Sequence, residues 1–174
     1  MFLITGSCKE GDDADGPAGT DYYMEFERNG TAVRYASASM GNVQATHNEI
    51  GSTGEYATNF VGLQELFAVS TNNVTALVID TVPVSVGQVY TNRTVPRSDE
   101  VSAKVVTVGY FDAAGVFYTS LDVSLIFGIT PSARIEITAV NDEVLEAEFS
   151  GTLYNADYTD SLVFRNGKVR AERF

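Results

Sequence analysis

The chain has 174 residues, 44% apolar and 20% charged, which suits one domain with a sizeable core and leaves two domains cramped. Acidic residues outnumber basic ones 23 to 11, a net charge of −12. Such a surface repels phosphate backbones and argues against a nucleic-acid partner. No apolar run approaches the roughly 20 residues that span a bilayer as a helix, and one Cys with one His excludes an intramolecular disulfide framework and a structural zinc site. Val, Thr and Ile (21, 17 and 7) far outnumber Leu and Met (9 and 3). β-Branched residues lose rotamer freedom in helices and pack well on pleated sheets, so the composition predicts an all-β fold.

Residues 1–7, Met1-Phe2-Leu3-Ile4-Thr5-Gly6-Ser7, form a short apolar run ending in two small residues, and the sole cysteine, Cys8, follows. This resembles the end of a bacterial lipoprotein signal, in which small residues admit the peptidase and the cysteine thiol takes the lipid. Several acyl chains on one residue give stable anchoring where a single chain is marginal. Thr5 stands where such a signal usually carries Leu. Only seven residues precede Cys8, none of them basic, so the true start is expected upstream. Residues 8–20 read as the lipidated cysteine and an acidic tether, with Glu10, Asp12, Asp13 and Asp15 against Lys9 alone. Lys9-Glu10 and Asp12-Asp13 resemble the charged export signal of Bacteroidetes-type surface lipoproteins. Asp12 to Gly16 lacks the acid and the later bidentate Glu of a calcium loop, and a solvated spacer is the better reading. Gly16-Pro17-Ala18-Gly19 marks the approach to a single domain over residues 21–174.

Within that domain, Tyr22 to Arg28 alternates into Asn29-Gly30 and returns as Thr31 to Ser39, a hairpin pattern. Residues 41–58, rich in Gly, Ser, Thr and Asn, predict a long loop with room for one short strand. Phe60, Leu63 and Phe67 have helical spacing, but Leu66 to Ser70 turning at Asn72-Asn73 into Val74 to Asp80 reads better as a strand hairpin. Val82-Pro83-Val84 interrupts the ladder, and Val89 to Thr91 reads as a short edge strand. Val101 to Phe111 and Val116 to Phe127 form the longest hairpin expected, through Asp112-Ala113-Ala114-Gly115. Ala133, Ile135 and Ile137 alternate with polar partners before Asn141-Asp142. In Val144 to Tyr154, Leu145, Ala147, Phe149, Gly151 and Leu153 share one face and Glu146, Glu148, Ser150 and Thr152 the other. Ser161 to Arg165, Asn166-Gly167 and Lys168 to Phe174 read as a closing hairpin.

About ten short strands without helices between them predict an antiparallel β-sandwich, with an up-and-down, lipocalin-like β-barrel as the alternative. Asn29-Gly30-Thr31, Phe149-Ser150-Gly151-Thr152-Leu153 and Arg165-Asn166-Gly167-Lys168-Val169 resemble the turn and strand motifs of a group of small, uncharacterised Bacteroidetes surface lipoproteins. The resemblance implies an envelope address and an all-β domain. It carries over no active site.

No nucleophile elbow, phosphate loop or dinucleotide fingerprint is present, and no cofactor is expected. His47, in a polar loop-like stretch, reads as a surface residue. Glu146 and Glu148 share a strand face about 7 Å apart, a spacing a glycosidase could use, but an outer solvated face is much the better explanation. Tyr22, Tyr23, Tyr154 and Tyr158 are candidate platforms for a glycan in a chain with no Trp. Asp80-Thr81-Val82 and Asp160-Ser161-Leu162 resemble the O-glycosylation triplet of Bacteroidetes envelope proteins. The triplets at Asn29, Asn73 and Asn92 fit the N-glycosylation pattern, silent in a bacterium. The expectation is a non-enzymatic outer-membrane lipoprotein, anchored through Cys8 and exposed at the cell surface, with a periplasm-facing placement as the alternative and a glycan or an envelope protein as partner. A glycan- or small-ligand-binding module is the alternative, and a carboxylate glycoside hydrolase ranks last.

Overall fold

The structure is a computed structural model and describes residues 22–37, 42–64, 71–93, 95–121 and 129–174. These residues form an all-β fold of twelve strands and no helix. The strands are β1 (Tyr22–Arg28), β2 (Thr31–Ser37), β3 (Val43–Glu49), β4 (Tyr56–Leu63), β5 (Asn73–Asp80) and β6 (Val89–Thr91), then β7 (Glu100–Ser102), β8 (Val105–Phe111), β9 (Phe117–Thr119), β10 (Ser132–Val140), β11 (Val144–Asn155) and β12 (Ser161–Arg173). Their order is β2-β1-β12-β3-β4-β5-β8-β9-β11-β10-β6-β7, with β12 also paired to β11. That last pairing closes a circuit, β12-β3-β4-β5-β8-β9-β11 and back to β12. Two of its joins are short: β12 meets β3 in parallel over two residue pairs, and β9 meets β11 over two. Between these corners, β8 packs across the interior against β10 and β11.

Alternation explains why the interior lies where it does. In β11, Leu145, Ala147, Phe149, Gly151 and Leu153 are all buried, as the pattern predicts. An aromatic cluster joins the two sides: Phe26 of β1 stacks on Phe164 of β12 at 4.5 Å and meets Phe149 of β11 at 5.9 Å and Tyr110 of β8 at 6.4 Å. Offset and edge-on ring contacts of this kind add to the burial energy. Asn29 and Gly30 both have positive φ, 49° and 81°, the geometry of a type I′ hairpin turn. Asn29 also continues the ladder, since its N–H donates to the Val163 carbonyl at 2.9 Å and its Oδ1 accepts the Val163 N–H at 2.7 Å.

Several expected elements differ from those found. Residues 41–58 hold β3 and the start of β4 rather than a loop: Val43 and Ala45 point inward, and the polar residues between them concealed the period. Phe60 and Leu63 lie on β4, a strand and not a helical turn, whereas the strand expected over 66–70 lies outside the described residues. The run from Val101 to Phe111 is two strands: β7 pairs in parallel with β6, and after Ala103-Lys104 the chain joins β5 as β8. β6 is an interior strand between β10 and β7, so the edge is β7. The return strand after Asp112 spans only Phe117–Thr119, and residues 122–128 lie outside the described residues.

The closing hairpin is not a hairpin. Ser161–Arg173 is one strand of 13 residues that runs straight through Asn166-Gly167. Asn166 alone of the two has positive φ, 52°, which bends a strand but does not reverse it. The pairs Phe149↔Gly167 and Gly151↔Phe164 place two β12 residues opposite Ser150, a β-bulge. Gly167 is buried there, and a Cβ on it would lie 2.5 Å from the Phe149 carbonyl oxygen.

Candidate functional site

The turns after β1, β8 and β11 flank an opening of about 400 Å³ lined by Arg28, Tyr110, Asp112, Tyr118, Leu162 and the two alanines of the β8–β9 turn. Each side chain arrives from a different place in the chain. Arg28 is the last residue of β1, just before the Asn29-Gly30 turn, and its guanidinium carbon lies 5.3 Å from the centroid of the Tyr110 ring. Its Nη1 donates to the Tyr110 hydroxyl. The Tyr35 hydroxyl of β2 is a close neighbour of the Tyr110 hydroxyl. Burial pushes the Tyr35 and Tyr110 hydroxyls above their ordinary pKa, and the Arg28 charge opposes the rise in both. Tyr118 of β9 donates to Asp160 Oδ2 at 2.9 Å. That bond, with burial and the carboxylate charge behind it, pushes Tyr118 up to about 12.

Two aspartates frame the cluster. Asp112 Oδ1 accepts the N–H groups of Ala114 and Val116, each at 2.8 Å, which shapes the β8–β9 turn. Asp160 Oδ1 accepts the Ser161 N–H at 2.8 Å. Among the described residues Arg34, Lys104, Arg134, Arg170 and Arg173 are ion-paired to carboxylates, while Arg28, Arg93, Arg97, Arg165 and Lys168 are not, and of these five Arg28 is the half-buried one. A half-buried guanidinium bound to a neutral hydroxyl, in a chain rich in acid, is unusual chemistry for a solvated face and suits a polar ligand.

The residues singled out from the sequence are scattered. Cys8 and the tether through residue 20 lie outside the described residues, as does the Asp12 to Gly16 segment. His47 is on β3 rather than in a loop, half-buried and stacked against Tyr56 at 6.2 Å, with Nδ1 2.8 Å from Thr58 Oγ1. Burial, and then the Arg173 charge, hold its pKa below the ordinary value. Glu146 is ion-paired to Arg170, and Glu148 lies opposite Lys168 on an open sheet face. Tyr154 and Tyr158 do meet, at 6.5 Å. Tyr23 sits beneath Arg34, 4.7 Å from its guanidinium carbon. Tyr23 pairs beside Arg170 and Tyr154 beside Ser161, about 30 Å apart along β12, so the four tyrosines form no single platform.

Asp80 Oδ1 accepts the N–H of exposed Thr81 at 2.7 Å, and Ser161 opens β12. Asn92 bridges two elements, donating to the Ser120 carbonyl at 2.6 Å and accepting from Ala133 N–H at 2.8 Å. Among the described residues no three acidic, His or Cys side chains gather as a metal site. Arg28, Tyr110, Asp112 and Tyr118 carry no local motif, and only the pairing of distant strands brings them together. Compared with known proteins, the chain matches no family model, no curated protein and no solved structure.

Proposed function

We propose that this protein is a lipid-anchored bacterial envelope protein that presents its β domain, without catalysis, as a binding surface outside the outer membrane. The sole cysteine, the small residues before it and the acidic stretch after it support the anchor. About a dozen tether residues, if extended, reach roughly 40 Å from the bilayer. The observation that carries a binding role is the opening at Arg28, which joins donors, acceptors and apolar surface in one concave place. That observation also favours the reading of the domain as a glycan- or small-ligand-binding module.

The test is a Cys8→Ser variant of the full gene expressed in a Bacteroidetes host. The wild-type protein sediments with membranes and partitions into detergent, and the variant moves to the soluble fraction. Equal partitioning of the two would refute the anchor.

A further inference from the structure

We propose that the opening between Arg28, Asp112 and Tyr118 binds an uncharged sugar residue of a glycan, discriminating against the corresponding uronic acid. The proposal rests on the reading of the domain as a binding module and assigns that module its ligand class. The opening, about 400 Å³, falls within the range of roughly 300–1,000 Å³ usual for small-molecule sites.

The groups in it are complementary in kind. Arg28 offers only donors, in a planar fork, and a carboxylate such as Asp112 offers only acceptors. Both turn bonds to Asp112 fall on Oδ1, which leaves Oδ2 for another donor. Tyr110 Oη accepts from Arg28, which fixes the guanidinium fork at the edge of the opening. A ligand that satisfies a fork of donors and a carboxylate acceptor must donate and accept at neighbouring atoms. Vicinal ring hydroxyls do both, and Leu162 supplies apolar contact for the C–H face of a ring.

Charge narrows the class further. One cation, Arg28, stands among two carboxylates, Asp112 and Asp160, in a chain of net charge −12. An anionic ligand therefore meets net repulsion, which sets a neutral sugar ahead of the corresponding uronate.

The test is titration of the purified full chain with defined probes: neutral gluco-, galacto-, manno- and N-acetylglucosamine trisaccharides, and trigalacturonate as the acidic counterpart of the galacto series. Saturation-transfer NMR and calorimetry read the binding. At least one neutral trisaccharide is expected to bind at millimolar concentration or below, with the uronate about tenfold or more weaker than its neutral counterpart. Arg28→Gln and Tyr118→Phe should each weaken binding about tenfold, while Arg34→Gln, outside the opening, should leave it unchanged. Arg28→Lys keeps the charge and loses the planar fork, so it should also weaken binding if Arg28→Gln fails to fold. Tighter binding of the uronate, binding indifferent to Arg28 and Tyr118, or binding of no neutral probe would each overturn the proposal. Loss of sugar binding with Cys8 lipidated would strike the ligand class alone, and sugar binding with Cys8 unmodified would strike the anchor alone.

Discussion

Replacing Gly167 by Ala tests whether β12 runs unbroken beneath β11. A Cβ at this position would lie 2.5 Å from the Phe149 carbonyl oxygen and 2.8 Å from two carbons of its ring. Ordinary contact begins near 3.4 Å, so β12 must move away from β11 by several tenths of an ångström, or the Phe149 ring must leave the cluster it forms with Phe26. Overpacking of this kind costs about 1–3 kcal/mol, and the upper end applies because a backbone oxygen cannot rotate aside. For a domain of this size about 3 kcal/mol lowers Tm by roughly 6–12 °C. Gly54→Ala is the control: nothing lies within 4 Å of its Cβ, and only its φ of +70° opposes the change, at about 1–2 kcal/mol. Urea unfolding followed by far-UV circular dichroism measures both. A Gly167→Ala variant no less stable than Gly54→Ala would refute the continuous, bulged strand.

Three further expectations follow from burial and charge. Phe164→Ala removes the ring stacked on Phe26 and edge-on to Tyr110 and should cost about 3–5 kcal/mol in urea unfolding; a loss below about 1 kcal/mol would contradict the aromatic core. Tyr118 has its folded pKa raised from 10.0 to about 12, so the stability its hydroxyl contributes is complete below pH 10 and is lost as pH rises through 12. Tyr118→Phe should flatten that alkaline loss in pH-dependent unfolding, and an unchanged profile would count against the Asp160 bond. His47 has its folded pKa lowered from 6.5, so protonation penalises the folded state and stability falls as pH drops below 6.5. NMR titration of the single imidazole should give a midpoint below 6.5, and a midpoint above it would contradict the burial.

The two Asn-Gly pairs show where sequence reading stops. At Asn29-Gly30 both residues take positive φ and the chain reverses; at Asn166-Gly167 only the asparagine does, and the strand continues. The dipeptide is the same, and what differs is the surroundings. β12 is flanked along its length by β1 and β11, and the bulge lets Gly167 slide beneath Phe149. A local window holds no record of how many neighbours a strand will have. The strict alternation of β10 and β11 was legible because one face is core and the other water. The break between β7 and β8 was not, because every residue on either side suits a strand and only the change of partner separates them. The same limit hides the candidate site. Arg28 and Tyr110 are 82 positions apart and Tyr118 and Asp160 are 42 apart, and topology alone makes them neighbours.

A lipid on Cys8, proposed above to hold this domain at the bacterial surface, is open to direct measurement. The direct measurement is the mass of the mature N-terminal peptide from native membranes of cells carrying the full gene, together with protease shaving of intact cells. The expected result is a peptide that begins at Cys8 and carries diacylglycerol and N-acyl mass, from a protein that protease removes without lysis. A soluble protein with an unmodified Cys8 thiol, protected until the cells are broken, would contradict it.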